Sequence, residues 1–463
     1  MRKIFATGVV LMLLLQVQLQ GQGHQVEAMI RDLPDGKVYL SLYDRDEYRL
    51  VDSARSVNGS FYFYRGDHQP DGMYRIDFMR PGRPGGDSEA RFIEFLWSDE
   101  SFMIYADKND IAGSASFGNS LENRVLGEYR EYEEQYERKM SLLYPLIDRY
   151  PEEDEFYSSA ASHLLKLQQE RDTFMLEIIQ RNPDLFAGKI INANRSVIVP
   201  PDLRGKQRIE HMKTHYFENT PIDDPELLHA PVYTRKIIEY LMLYRSQDYS
   251  FSEQEDAFIE AVDMIMANVS GDPDLRTFAV EYLLEGFQSF GMERVETYIV
   301  DTYVDETCTT DVVELAQQRV EGYRKMEEGQ IAEDILIRSA NRKMVRLSEV
   351  DADYILVLFW ATYCEHCTQM MPELREWYLN DRPENLEVFA VSIDTSRSDW
   401  DLFLQVVEMP WINTHEPMGW EGKSAADYNI YATPTMILLD RERRIIARPY
   451  TLRELRRTLR KLE

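Results

Sequence analysis

The stretch that decides the fold is FWATYCEHCTQMMPEL, residues 359–374. It follows a continuous apolar run that begins at Ile355, which is typical of a buried central strand. A helical pattern comes next, so Cys364 and Cys367 stand at a strand-to-helix junction with two residues between them. Unpaired N–H groups and the positive end of the helix dipole stabilise a thiolate at such a position. The spacing predicts a reversible disulfide, with Cys364 as the nucleophile and Cys367, one turn inward, as the buried resolving thiol.

Strands and helices alternate on both sides of this stretch. Apolar runs at 386–393 and 435–439 predict two more strands. Helical patterns fill the intervening and following segments, at about 367–380, 398–407 and 452–462. This order predicts βαβ crossovers and a mixed sheet with helices on both faces, over a C-terminal α/β domain at 327–463.

Short motifs around the cysteine pair carry a family resemblance. Trp360-Ala361-Thr362 precedes the first cysteine, and Pro372 follows it by eight residues. Ala432-Thr433-Pro434-Thr435 lies 70 residues after Cys364, and a G-x-I-A-x-D run opens the region at 329–334. Together these motifs resemble the thioredoxin superfamily, and specifically its exported TlpA/ResA-like branch.

The resemblance implies a thiol–disulfide oxidoreductase with a C-terminal thioredoxin-like fold. Cys364 and Cys367 would be the catalytic pair, with their redox-active disulfide as the only redox group and no other cofactor or metal. Thr433 and Pro434, joined by a cis bond, would position the substrate, and Trp360 would pack the site. The expected partners are client protein thiols or disulfides and a membrane electron donor or acceptor. A reductase is expected ahead of an oxidase or isomerase.

Three residues near the cysteines depart from the thioredoxin pattern. Leu358 stands where thioredoxin places a buried acid that helps to deprotonate the resolving thiol, which leaves Glu365 as the alternative base. Glu365 and His366 fill the two positions between the cysteines. They are expected to tune the redox potential in opposite directions, because His366 stabilises a thiolate and Glu365 opposes it.

The N-terminus predicts export. Arg2 and Lys3 precede an apolar run at 4–15, and Gly21 and Gly23 then favour cleavage before His24. This order is that of a signal peptide, here 1–23, and it predicts a periplasmic or cell-envelope protein. No cysteine lies near the cleavage position, which excludes a lipoprotein anchor, and no later apolar run is long enough for stable membrane insertion.

The residues between the signal peptide and residue 327 predict two further domains. From 24 to 119 apolar residues alternate, and Asp35-Gly36 and Asn58-Gly59 favour hairpin turns, which predicts an antiparallel β sandwich-like domain of unknown role. From 120 to 326 the period is helical, with breakers that predict seven to nine helices. One predicted apolar helix face comprises Ile237, Ile238, Leu241, Met242 and Tyr244. The arrangement resembles that of some exported Bacteroidota thioredoxin-like proteins.

Composition limits the alternatives. The formal charge of −29 argues against nucleic acid as a partner, and three cysteines are too few for a disulfide framework. A second hypothesis is an envelope protein-binding module whose thioredoxin-like domain is non-catalytic. In another version that domain handles a metal such as copper at Cys364, His366 and Cys367. His211 and His215, four residues apart, are a weaker metal candidate, and Cys308 is expected in an exposed acidic turn.

Overall fold

The structure, a computed structural model, describes residues 24–66, 68–78, 92–219, 222–306 and 308–462. The predicted signal peptide at 1–23 lies outside the described residues. Two compact units are present, one that ends at Leu283 and one that begins at Leu284. The domain boundaries drawn from the sequence stay predictions, and the second unit takes in the last helices of the predicted helical domain.

Two four-stranded sheets form the start of the first unit, in the orders β4-β1-β7-β8 and β3-β2-β5-β6. The strands are β1 His24–Arg31, β2 Gly36–Asp44, β3 Glu47–Ser56, β4 Ser60–Arg65, β5 Gly72–Asp77, β6 Phe92–Trp97, β7 Phe102–Asp107 and β8 Ser116–Gly118. Side chains of both sheets share one core, among them Ile30, Leu40 and Phe95. The predicted sandwich-like domain is confirmed, with one departure: β1 and β7 pair in parallel.

The Asn58-Gly59 turn forms as the sequence predicts. It joins β3 to β4, and its two residues have φ values of 51° and 81°. Asparagine tolerates this left-handed region and glycine adopts it without strain, which matches the twist of a tight hairpin. A Cβ on Gly59 would also lie 2.3 Å from the carbonyl oxygen of Ile30, so the turn admits no side chain there.

Seven helices follow the sheets. They are α1 Leu121–Arg149, α2 Glu155–Arg181, α3 Phe186–Ala193, α4 Gly205–His215, α5 Tyr233–Met242, α6 Phe251–Asn268 and α7 Pro273–Ser289. The predicted apolar face of α5 is partly wrong: Ile237 is buried, but Ile238 and Met242 are 50% and 52% exposed. The reason is that these two side chains line an open cavity, considered below.

The second unit adds two helices, α8 Glu293–Tyr303 and α9 Asp311–Lys325, before its sheets. The structure therefore contains nine α-helices in the described part of 120–326, as predicted. The remaining elements are β9 Leu336–Arg338, β10 Met344–Arg346, β11 Tyr354–Trp360, α10 Glu365–Asn380, β12 Leu386–Ser392, α11 Arg397–Val406, β13 Ile412–His415, α12 Lys423–Asp427, β14 Thr435–Asp440, β15 Ile445–Ala447 and α13 Leu452–Leu462.

The main sheet of this unit is mixed. Its order is β13-β12-β11-β14-β15, with β11, β12 and β13 parallel and the last two strands antiparallel. Alternate residues of β11 face opposite sides: Leu358 packs with α10, α11 and α13, whereas Val357 packs with α12 and the β9–β10 segment. The predicted mixed sheet with helices on both faces is confirmed. No described helix combines the length and the apolar character that a membrane span needs.

Candidate active site

The cysteine pair lies at the start of α10, directly after the loop that follows β11. Cys364 is the N-cap residue, and its Sγ accepts a hydrogen bond from the backbone N–H of Cys367 over 3.1 Å. The two residues are joined by a disulfide, with their Cα atoms 5.2 Å apart. Cys364 is half-buried and Cys367 is fully buried. An external thiol or disulfide can therefore reach the first sulfur but not the second.

Apolar side chains surround Cys367. It shares a core cluster with Leu358, Trp360 and Met371, each with no exposed surface. Leu358 thus leaves this part of the core without the carboxylate that thioredoxin places there. Because an apolar surrounding disfavours a charged group, a thiolate at Cys367 is not stabilised by its neighbours in this cluster.

The two residues between the cysteines point away from that core. Glu365 and His366 are both exposed. The Glu365 carboxylate accepts a hydrogen bond from the side-chain amide of Gln369, one turn further along α10, over 3.1 Å. The structure thus places both predicted tuning residues at the solvent side of the disulfide, close in sequence to Cys364, and apart from the cluster that buries Cys367.

The loop before β14 closes the other side of Cys364. The Thr433–Pro434 peptide bond is cis. The carbonyl oxygen of Thr433 lies 3.2 Å from the Sγ of Cys364. Trp360 ends β11 fully buried, with its ring centroid 5.1 Å from that of Phe403. The predicted substrate-positioning residues are therefore in contact with the redox pair or with the core directly beneath it.

Asp394 is a supporting residue to which the sequence analysis gives no role. It is 2% exposed, and its carboxylate accepts hydrogen bonds from the backbone N–H of Thr362 over 3.0 Å and from the Thr362 hydroxyl over 2.6 Å. The hydroxyl of Ser392 donates to the same carboxylate over 2.7 Å. Asp394 therefore fixes the turn that presents Cys364. Its position just past the end of β12, beside the end of β11, is the pattern that could have revealed it.

His415 supports Asp394 from the end of β13. Its Nε2 lies 2.7 Å from the carbonyl oxygen of Asp394, and its ring stacks on that of Trp400 with centroids 5.1 Å apart. His415 is 6% exposed. Burial lowers the pKa of this imidazole below its ordinary value, so the ring is neutral at pH 7 and Nε2 carries the proton that it donates.

A buried ion pair ties helix α8 to the cis-proline loop. The Glu293 carboxylate accepts two hydrogen bonds from the Arg448 guanidinium, one of them over 2.8 Å, and one from the Tyr431 phenol. Tyr431 lies two residues before Thr433. Burial raises the pKa of the Tyr431 phenol, and the nearby Glu293 carboxylate raises it further, so the phenol stays a neutral donor.

A second buried carboxylate lies one turn further along α8. Glu296 has no exposed surface, and it accepts hydrogen bonds from Arg319 over 2.8 Å and from the Tyr323 phenol. Both of these partners are on α9. This pair joins the two helices to each other. It reaches the cis-proline loop indirectly, because Tyr323 contacts Tyr431 through a side-chain hydrogen bond and a ring contact with centroids 5.7 Å apart.

Large exposed side chains occur directly before Cys364 and on the segment that contacts Tyr363. Tyr363, which precedes Cys364, is 61% exposed, and Met418 and Trp420 are 60% and 41% exposed. The side chain of Trp420 interacts with the Tyr363 phenol. Tyr363 and Trp420 thus form an exposed aromatic pair in contact with each other, of which Tyr363 directly precedes the half-buried cysteine in sequence.

The third cysteine lies away from solvent. Cys308 is a free thiol, 3% exposed, and its backbone N–H donates to the carbonyl oxygen of Asp305 over 3.1 Å. The acidic turn before it is exposed, as predicted, at Asp305 and Glu306. Although its neighbours in sequence are acidic, the thiol itself turns into the interior.

Metal-binding geometry is absent from the candidate positions in the described part of the chain. No group of three or more His, Cys, Asp or Glu side chains is arranged to hold an ion among those residues. The rings of His211 and His215 do lie close, with centroids 4.4 Å apart. His215 makes its contact with Glu218, through a 2.5 Å hydrogen bond at Nδ1.

Comparison with known proteins assigns the C-terminal part of the chain. Residues 351–445 match the protein family described as Thioredoxin-like. Residues 351–445 therefore form a thioredoxin-like domain. The match takes in β11, the disulfide, the cis-proline loop and β14, and leaves α8 and α9 outside.

Two named relatives and one solved structure are similar to parts of the chain. The thiol-disulfide oxidoreductase ResA of Oceanobacillus iheyensis is 27% identical over 90 residues, which are 19% of this chain and 44% of that protein. ResA of Bacillus subtilis is 22% identical over 125 residues, which are 27% of this chain and 68% of that protein. A solved thioredoxin-like protein from Bacteroides caccae is 19% identical, with a TM-score of 0.40, and the match covers 56% of this chain and 94% of that structure. Part of this chain is thus similar to proteins named thiol-disulfide oxidoreductases.

Proposed function

We propose that this protein is an exported thiol–disulfide oxidoreductase that exchanges disulfides with client proteins. The observation that carries the proposal is the asymmetry of the cysteine pair. Cys364 is half-buried beside the carbonyl oxygen of Thr433, whereas Cys367 is fully buried behind it. One sulfur is placed to meet a client and the other to complete the exchange.

The exchange proceeds in two displacements. In the reduced protein the Cys364 thiolate attacks one sulfur of a client disulfide, which forms a mixed disulfide and releases one client thiolate. The Cys367 thiolate then attacks the Sγ of Cys364, which closes the Cys364–Cys367 disulfide and releases the second client thiolate. The client gains two electrons and the protein loses two. A dithiol donor must reduce the protein again before another cycle.

The surroundings of the first sulfur suit an extended client segment. The backbone of Thr433 and Pro434 lies beside Cys364, and the exposed side chains of Tyr363 and Trp420 offer apolar contact next to it. A client chain bound here is held mostly by its backbone and by non-specific apolar contact. We therefore expect the protein to accept several clients rather than one fixed sequence.

The environment of the pair supports the reductase direction. A disulfide becomes more oxidising when the protein stabilises its reduced, thiolate form. Here the Cys364 sulfur receives one backbone N–H, and His366 is exposed, so its charge is screened by water. Cys367 lies among apolar side chains. This limited thiolate stabilisation favours the disulfide and hence a low reduction potential.

The proposal also includes export of the protein and a membrane-bound electron donor. The charged, apolar and small residues of 1–23 predict secretion, which places the site in the periplasm or cell envelope. Because that compartment is oxidising, a reductase there requires electrons from across the membrane, and the donor is expected to be a membrane protein that carries a dithiol.

A client-trapping experiment tests the exchange. Reduction of insulin by dithiothreitol is followed by turbidity with the full chain and with three variants. We expect Cys364→Ser to abolish the acceleration, Cys367→Ser to accumulate a mixed disulfide with insulin on a non-reducing gel, and Cys308→Ser, the buried control, to keep full activity. Equal activity of Cys364→Ser and the unmodified chain would refute the catalytic proposal and favour the non-catalytic binding module.

The reduction potential of the Cys364–Cys367 pair tests whether the protein acts as a reductase. The equilibrium between the dithiol and disulfide forms is measured against dithiothreitol or glutathione buffers. A potential near or below about −250 mV is expected for a reductase, whereas a value above about −180 mV would overturn that direction in favour of an oxidase or isomerase.

A further inference from the structure

A cavity of about 690 Å³ lies in the first unit. Binding sites for small molecules typically have about 300–1,000 Å³, so the volume suits a ligand of drug or metabolite size. Helices α1 and α5 supply half of its lining residues, and Met73 of β5 contributes from the sandwich. None of the three cysteines lines it, and the redox chemistry proposed above makes no use of it.

Three of the four cations that line this cavity form no ion pair in the described part of the chain, although the Glu94 carboxylate interacts electrostatically with Arg130 and the Glu239 carboxylate with Lys236. Arg130 and Arg235 are both exposed, and in the part of the chain that the structure describes neither forms an ion pair. Arg235 donates only to the carbonyl oxygen of Pro231, over 3.4 Å. Such unpaired guanidiniums in a concave wall are unusual in a chain whose formal charge is −29, since acidic side chains outnumber basic ones.

The third cation is the most deeply placed. Lys236 is 6% exposed, and its Nζ donates to the carbonyl oxygen of Arg195 over 3.3 Å and lies 5.1 Å from the centroid of the Tyr216 ring. Burial lowers the pKa of this ammonium group to about 8. A buried cation with one long neutral hydrogen bond is costly unless an anion compensates it.

The acidic residues of the cavity are mostly occupied by other groups. Glu133 makes a bidentate pair with Arg171, over 2.7 and 2.9 Å. Glu239 accepts a hydrogen bond from the Tyr216 phenol over 2.8 Å. Burial raises the pKa of the Glu137 carboxyl, and the nearby Glu133 carboxylate raises it further. The lining thus holds four basic side chains against three acidic ones, and in the described part of the chain none of the three acidic ones forms an ion pair with Arg130, Arg235 or Lys236.

Apolar side chains form the rest of the opening. Ile238 and Met242 lie four residues apart on α5, so they share a face of that helix. They line the cavity while about half of each side chain stays exposed, as noted for α5. Cations without an ion pair therefore lie next to exposed apolar side chains, and this combination suits a molecule with both an anionic and an apolar part.

We infer that this cavity binds an amphiphilic organic anion. Its single anionic headgroup, a carboxylate or a phosphate, pairs with Arg130, Arg235 and Lys236, and its apolar part covers Ile238 and Met242. Guanidinium groups match both headgroups because their paired N–H donors fit two oxygens of either one.

Fluorescence of the anionic dye 8-anilinonaphthalene-1-sulfonate tests the site in the full chain. The dye carries a sulfonate on an apolar ring system, and its dissociation constant is measured for the unmodified chain, Arg130→Gln and Arg235→Gln. Each substitution is expected to weaken binding about tenfold or more, because it removes a charge-assisted hydrogen bond to the anion. Arg138→Gln is the matched control: it lies on α1 as Arg130 does, is paired with Glu134, and is expected to leave binding unchanged.

Competition distinguishes the two halves of the ligand. Decanoate and decyl phosphate are expected to displace the dye, whereas decanol and inorganic phosphate displace it at least tenfold less well. Equal displacement by decanol would show an apolar site only, and equal displacement by inorganic phosphate an ion site only. Either result would overturn the proposal, as would unchanged binding in both arginine variants.

Thermal denaturation gives a readout that needs no variant. A ligand that binds the folded form raises the melting temperature in proportion to the logarithm of its concentration. Decanoate, below its micelle concentration, is expected to raise the melting temperature of the unmodified chain. Decanol is expected to leave that temperature unchanged. An absence of any shift with decanoate and decyl phosphate would contradict the inference even if the arginine variants failed to fold.

Discussion

Removal of the Glu293 charge is expected to loosen the cis-proline loop. Glu293→Gln keeps the size of the side chain but replaces the carboxylate that holds Arg448 and Tyr431. Breaking a buried ion pair costs about 3–5 kcal/mol. The side chains of Glu293 and Arg448 are 12% and 22% exposed, and glutamine keeps one acceptor oxygen, so we take the lower end, about 3 kcal/mol.

That free energy converts to a measurable shift. In domains of about 150–250 residues 1 kcal/mol moves the melting temperature by about 2–4 °C, so the transition of the second unit should fall by about 6–12 °C. Differential scanning calorimetry measures it. Because Tyr431 lies just before Thr433 and Pro434, we also expect kcat/KM for insulin reduction to fall, mainly through a higher KM.

Glu296→Gln is the matched control for this effect. Glu296 lies on the same helix, is fully buried, and also bonds one arginine and one tyrosine, but both partners are on α9. It should lower the melting temperature comparably and change KM less. Equal loss of kcat/KM in the two variants, or an unchanged melting temperature for Glu293→Gln, would refute the reasoning that Glu293 acts on the cis-proline loop.

Three further substitutions test the supports of the site. Asp394→Asn should lower the free energy of unfolding in urea by about 1.5–3 kcal/mol, because Thr362 loses hydrogen bonds to a charged acceptor; an unchanged midpoint would contradict this. The folded-state pKa of His415 lies below its ordinary 6.5, so its contribution to stability is complete above about pH 6.5 and is lost as the pH falls below that value. Melting temperatures at pH 7.5 and 5.5 should therefore differ more for the unmodified chain than for His415→Gln, and equal differences would exclude this role. Gly322→Ala should destabilise the second unit, because a Cβ there would lie 2.5 Å from the side chain of Asn429; a melting temperature at or above that of the unmodified chain would show that Asn429 can move.

Local patterns in the sequence predicted most of the elements. The alternating run at 37–43 lies within β2, the apolar run at 355–359 lies within β11, and the basic amphipathic segment at 452–462 coincides with α13. The Asn58-Gly59 turn could be predicted because both residues tolerate the left-handed backbone region that a tight hairpin turn requires. The cysteine pair and the cis-proline loop could also be predicted, because each is a short motif whose residues are neighbours in sequence.

Contacts between residues that are far apart in the sequence could not be predicted from it. The parallel pairing of β1 with β7 joins segments about 76 residues apart, and no local pattern encodes it. The Glu293–Arg448 pair spans 155 residues. The exposure of Ile238 and Met242 could not be foreseen either, since their spacing is equally suited to a buried helix face and to the wall of a cavity.

The tie between α8 and the cis-proline loop also bears on how far the redox module is portable. A fragment that begins at residue 327 keeps both cysteines, the cis-proline loop and the whole mixed sheet. It lacks Glu293, however, so the Arg448 guanidinium loses the carboxylate with which it pairs in the full chain. A fragment cut at residue 327 would thus keep every sequence motif of the redox site but lose the charge partner of Arg448. Grafting or swapping this module among proteins would have to carry the preceding helix pair with it.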